Sequence, residues 1–142
     1  MPRCPFCGEE LEHVEVECYD VWWAMYEVYP DDDSHTLTWD CVDKELSKDS
    51  RIERVSCPNC HAPLLLKDED EIEEFFDDSL IIAPLNDPRI RVLNEKRVLF
   101  NGKLYELRRS HELVRDSDGV VREPFTYDKP EQRFTVLVLS EL

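Results

Sequence analysis

The residues best placed to do chemistry are two cysteine pairs, Cys4-Pro5-Phe6-Cys7 and Cys57-Pro58-Asn59-Cys60. Two cysteines separated by two residues can turn both sulfurs toward one ion. Two such turns complete the closed four-thiolate shell of a structural Zn²⁺, which leaves no position for water or substrate. Pro5 and Pro58 fix the backbone after each first cysteine, and Gly8 follows the second, where a chain often needs positive φ. His61 holds the matching place after Cys60 and reads as a turn residue, because histidine tolerates the left-handed region better than most side chains. Cys4, Cys7, Cys57 and Cys60 are therefore expected to hold one structural zinc, with no other cofactor.

These paired motifs resemble the zinc-ribbon family over residues 1 to about 66. The resemblance implies a small antiparallel sheet with a metal clasped at one end. Compact sites of this kind place about 15–20 residues between the pairs, whereas 49 residues separate Cys7 from Cys57. The extra length must form strands or a loop of its own. Zinc ribbons serve transcription, translation, nucleic-acid enzymes and plain protein assembly, so the resemblance does not carry a function over to this chain.

The elements that must position the cysteines are legible as alternation. In His13–Tyr19, Val14, Val16 and Cys18 fall on one face and Glu15 and Glu17 on the other, the pattern of a strand with one wet side. Asp20–Tyr29 is dense in aromatics and apolar on both faces when extended, which favours a strand. Trp22, Trp23 and Tyr26 are candidate anchors for a protein partner on whichever face is left uncovered. A turn is expected at 30–34, a returning strand through Leu37, Trp39 and Cys41, and a last strand from Arg51 to Val55. Cys18 and Cys41 are read as small buried core residues.

Residues 68–78 hold eight carboxylates broken only by Ile72, Phe75 and Phe76. Those three stand at i, i+3 and i+4, so a helix here carries one short apolar stripe, with acidic residues at its start to suit the dipole. Glu69, Ile72, Phe75 and Phe76 also have a spacing that resembles the motif by which many proteins dock on sliding clamps, which makes Ile72, Phe75 and Phe76 candidate partner-binding residues.

Charge divides the chain. Residues 1–88 carry 6 Lys+Arg and 24 Asp+Glu, while residues 89–142 carry 11 and 9, for a net charge of −16 over 142 residues. The acidic half repels phosphate, so nucleic acid is disfavoured there and left to the Arg-rich half. In that half Asn101-Gly102 is a type I′ hairpin signal between Lys96–Phe100 and Lys103–Arg109, with Leu99 opposite Leu104 and Arg97 opposite Glu106. A second turn at Ser117-Asp118-Gly119 joins Glu112–Arg115 to Val120–Glu123, and Arg133–Ser140, apolar on both sides, reads as a central strand.

The expected fold is mainly β with a short helix: a zinc-ribbon antiparallel sheet with a long β insertion over 1–66, an acidic helix and linker over 67–88, and a C-terminal β meander or small barrel over 89–142. No phosphate-cradling Gly loop, nucleophile elbow or His-Glu zinc-protease helix is present, so an enzyme is not expected. The absence of a transmembrane-length apolar run, and the direct approach from Met1 to Cys4, lead to the expectation of an intracellular, cytoplasmic protein with reduced thiols and no membrane contact. The function expected is a protein-protein interaction or adaptor module. A factor of transcription, translation or replication, contacting polymerase, clamp or nucleic acid, and an acidic mimic of nucleic acid are the alternatives.

Overall fold

A computed structural model describes residues 2–19, 22–31, 37–46 and 51–142, without the side chains of residues 19, 22–24, 43–46 and 51. The chain divides into two compact units, Met1–Asp77 and Asp78–Leu142. Among the described residues the fold is mainly β, with two antiparallel sheets and one short α-helix.

The first unit is built on β1 (Val14–Tyr19), β2 (Trp22–Pro30), β3 (Leu37–Leu46) and β4 (Arg51–Ser56), in the order β3-β2-β1-β4. These strands are what the 49 residues between the cysteine pairs form. Register places Val14 opposite Val28, and Val16 opposite both Tyr26 and Val55. Val14, Val16, Val28 and Val55 thus share one face, and each is 0–2% exposed. Burying a valine contributes about 1.5–3 kcal/mol, so this face holds the sheet together. The other face is mixed: Glu17 accepts from Arg54 at 2.6 Å, and Glu27 lies 2.9 Å from His13 Nε2.

Cys41 departs from its expected role. It is exposed, and Cys18 is only half-buried. Alternation assigns Cys41 to the valine face correctly, but β3 is an edge strand, and its pairing with β2 shifts register between Met25 and Tyr26. Val42, the residue left over at that shift, is 53% exposed. Edge position and bulge together leave this end of the strand uncovered.

Helix α1 (Glu69–Phe76) follows the second cysteine pair. Asp68 caps it, accepting the Glu71 N–H at 2.9 Å, and the buried Glu71 carboxylate accepts the Lys67 N–H at 2.9 Å. This is close to the reciprocal capping box and holds the start of an eight-residue helix that would be marginal alone. Glu69, Asp70 and Glu71 put three carboxylates at the positive end of the dipole.

The second unit is a six-stranded sheet. Its strands are β5 (Leu80–Pro84), β6 (Ile90–Val92), β7 (Arg97–Phe100), β8 (Lys103–Arg115), β9 (Val121–Arg122) and β10 (Arg133–Glu141), ordered β5-β10-β8-β7-β6 with β9 beside β8. Asn101 and Gly102 take φ of 52° and 83°, as a type I′ turn requires, and Leu99 faces Leu104 while Arg97 faces Glu106. β10 is central, between β5 and β8. Val98, Tyr105, Leu137 and Leu139 form its core with Ile81, Ile90, Phe100 and Leu107 packed around them. The two strands expected on either side of Ser110 are one 13-residue strand, because β10 pairs along its whole length from Val114 to Tyr105. No helix among the described residues is long and apolar enough to cross a membrane.

Candidate metal centre

Each cysteine pair sits in a tight turn, and the two turns are built alike. Gly8 N–H donates to the Cys4 carbonyl at 3.0 Å, and His61 N–H to the Cys57 carbonyl at 2.9 Å. Cys4 N–H returns to the Glu9 carbonyl and Cys57 N–H to that of Ala62, at 2.9 and 3.1 Å. Isolated antiparallel bridges close each turn, Arg3 with Glu10 and Ser56 with Pro63. Gly8 has φ 78° and His61 φ 62°, so His61 is the left-handed residue of its turn. Its ring points to Glu15, with Nδ1 3.4 Å from the carboxylate, and not to the cysteines.

The turns bring four sulfurs together, all within 4.8 Å of one another. Cys4 Sγ lies 3.7 Å from Cys60 Sγ, and Cys7 Sγ 3.8 Å from Cys57 Sγ. A tetrahedral ion with metal–sulfur bonds of about 2.3 Å needs sulfurs about 3.8 Å apart, so the donor set fits a four-thiolate metal site. Cys4 and Cys57 are 2% and 0% exposed, while Cys60 is half-buried and Cys7 exposed.

Hydrogen bonds already point at the sulfurs. Phe6 N–H donates to Cys4 Sγ and Asn59 N–H to Cys57 Sγ, each at 3.4 Å. Asn59 then breaks the symmetry, since its side-chain amide donates to Cys7 Sγ in the other turn at 3.5 Å. Phe6, its counterpart in the first turn, has no such group. The motif spacing draws attention to the cysteines and not to the residue between them, so Asn59 is a site residue that only the fold identifies.

The thiols differ in acidity for physical reasons. Burial pushes Cys4 far above the ordinary thiol range and Cys60 up to about 11, against the pull of the Ala62 N–H on Cys60. At Cys7 burial acts upward too, but donation by the Asn59 amide, the Glu9 N–H and the neighbouring cysteines outweighs it and brings the thiol down to about 7. Four thiolates cannot ionise this close without a compensating charge, which a cation held at their centre would supply.

The other candidate residues are placed differently. Tyr26 is half-buried and packs edge-on against Trp39 with ring centroids 5.3 Å apart. The backbones of Trp22 and Trp23 lie in β2 opposite Leu46 and Glu45, and their side chains are outside the described set. Ile72 and Phe75 are 0% and 3% exposed and Phe76 is half-buried, so the apolar stripe of α1 is buried; of its acidic residues Glu69 and Asp70 are exposed and Glu71 is buried with the stripe. In the second unit Arg89 pairs with Asp87, Arg122 with Asp128 and Arg133 with Glu112, each at 2.7 Å, and Lys103 pairs with Glu141.

Comparison with family models, with curated proteins and with solved structures finds no match to this chain. The likeness to a zinc ribbon therefore stands on the four-cysteine geometry itself.

Proposed function

We propose that this protein is a zinc-stabilised adaptor, in which Cys4, Cys7, Cys57 and Cys60 hold one structural Zn²⁺ and the protein acts by binding another protein rather than by catalysis. The observation that carries this reading is the sulfur spacing of 3.7 and 3.8 Å in a set of four cysteines. An all-thiolate tetrahedral set suits zinc, and it leaves no ligand position open for substrate. Two of the sulfurs are buried and all four are held by turns at both ends of a β insertion, which is where a structural metal contributes most to folding.

The acidity of the first unit supports a basic partner surface. Residues 1–77 carry 6 Lys+Arg against 22 Asp+Glu, a field that steers cationic surfaces in and phosphate away. The pairing of Arg89, Arg122 and Arg133 with local carboxylates further supports protein over nucleic acid.

The test is affinity purification of the metal-loaded protein from its native extract, with cross-linking and nuclease treatment. A protein partner retained after nuclease, and lost from a Cys4→Ser/Cys57→Ser variant, is the expected result. Association that disappears on nuclease treatment contradicts the adaptor reading in favour of nucleic-acid machinery.

A further inference from the structure

Outside the cysteine site, the second unit displays two large aromatic side chains to solvent at one loop. Phe125 is 49% and Tyr127 78% exposed, and their rings stack with centroids 5.4 Å apart and planes at 20°. Exposed stacked aromatics on a loop are costly unless something holds the loop, and here the holding is explicit. The Asp128 carboxylate accepts two hydrogen bonds from Arg122, at 2.7 and 2.8 Å, and the Phe125 N–H at 2.5 Å. Arg133 donates to the Phe125 carbonyl at 2.7 Å and more weakly to that of Asp128. The Arg122 guanidinium lies 4.6 Å from the centre of the Phe125 ring. Two arginines and one nearly buried carboxylate thus fix the backbone beneath a pair of rings that cover no core.

Beside this platform lies a cleft of about 370 Å³ that shares Arg133 with it. Its apolar wall is Pro84 and Phe134, and its donors are Asn86, Gln132 and the Arg115 guanidinium. Arg115 stands over Phe134 at 6.0 Å and, among the described residues, has no carboxylate partner. Asp116 and Glu131 also line the cleft, and Asp118 and Glu123 lie on the flanking segments.

We propose that this platform and cleft form a binding site for a proline-rich segment of a partner protein, in polyproline II conformation and flanked by Lys or Arg. A polyproline II segment makes no internal hydrogen bonds, so its carbonyls are open to donors such as Arg115, Gln132 and Asn86, while its pyrrolidine rings pack on aromatic faces. The segment is stiff in solution, and a fixed platform meeting a stiff ligand loses little entropy on binding. Charge selects the flanks: Asp118 and Glu131 have no cationic partner among the described residues, while Asp116 and Asp128 pair with Arg122 and Glu123 with His111. Residues 115–134 carry five carboxylates against four Lys and Arg, and the two arginines nearest the rings are engaged with Asp128 and Glu112. Single-stranded nucleic acid would use the same ring faces but needs a cationic groove to track its backbone, and among the described residues only Arg115 and Lys129 here stand without a carboxylate partner, beside five carboxylates. The site deepens the adaptor reading and rests on it.

The experiment is fluorescence anisotropy of the full metal-loaded chain with a labelled peptide panel. The panel holds proline-rich peptides with the Pro-x-x-Pro spacing and Lys or Arg at either end, their scrambled counterparts with the prolines clustered, and a labelled oligouridylate. The proposal expects binding of at least one Pro-x-x-Pro peptide over its scrambled form, amide shift changes confined to residues 84–86 and 115–134, and a loss of about tenfold or more in Tyr127→Ala. Tyr127→Ala removes an exposed side chain, so its fold is checked directly by the unchanged amide spectrum elsewhere. No binding across the proline-rich panel, binding insensitive to Tyr127→Ala, or preferential binding of oligouridylate each overturns the proposal. Failure of the panel while a nuclease-resistant partner is still recovered separates loss of this site from loss of the adaptor reading.

Discussion

The Asn59 side-chain amide donates to Cys7 Sγ at 3.5 Å, so a residue of the second cysteine turn holds a sulfur of the first. The same residue's backbone N–H donates to Cys57 Sγ, which makes Asn59 the link between the two halves of the site. Removing the amide leaves the four sulfurs in place but weakens the support of one. Asn59→Ala is expected to lower metal affinity about tenfold, measured by competition with a chromogenic chelator, with stoichiometry unchanged. An affinity equal to wild type would deny Asn59 this role.

Gly8 and His61 occupy equivalent left-handed positions, and they should respond in opposite ways to substitution. Gly8→Val places a β-branched side chain at φ 78° and is expected to destabilise by about 1–2 kcal/mol in urea unfolding. His61→Gly relieves the same restriction and keeps a full complement of metal. Loss of metal from His61→Gly would instead mark His61 as a ligand.

Ile72 and Phe75 are buried in α1, so truncating them acts on stability first. Ile72→Ala is expected to cost about 2–4 kcal/mol and Phe76→Ala distinctly less, by denaturant midpoint. A wild-type midpoint in Ile72→Ala would mean that the stripe is available to a partner, as its clamp-like spacing once implied.

Arg122 donation holds the Asp128 carboxyl at about 2, below its value in an unfolded chain. Between pH 4 and pH 2 the unfolded state binds a proton there that the folded state does not, so stability falls as pH drops through this window. Asp128→Asn is expected to lower the melting temperature at neutral pH and to flatten the acid limb between about pH 4 and pH 2. An acid limb as steep as wild type would remove Asp128 from the account.

The parts of the fold that could be read from the sequence are those fixed by local chemistry. Asn101-Gly102 specifies its turn and hence the register of Leu99 with Leu104, and the cysteine spacing specifies two matching knuckles. The apolar face of β1 follows from alternation at Val14 and Val16. What could not be read depends on distant partners. Leu80–Pro84 is a short apolar run without alternation, and only pairing with Arg133–Glu141 makes it a strand. Cys41 has the alternation of a core residue, yet its edge position and the neighbouring bulge expose it. Ser110 and His111 look like a break between two strands, but the long pairing with β10 carries the strand through. The role of Asn59 depends on a turn more than fifty residues away in sequence.

The central claim is that Cys4, Cys7, Cys57 and Cys60 enclose one zinc ion. Zinc K-edge X-ray absorption, on protein purified without chelator and assayed for metal content, tests it most directly. The account predicts one zinc per chain with four sulfur neighbours at about 2.3 Å and no nitrogen or oxygen in the shell. Substoichiometric zinc, or a shell with fewer than four sulfurs, would contradict it.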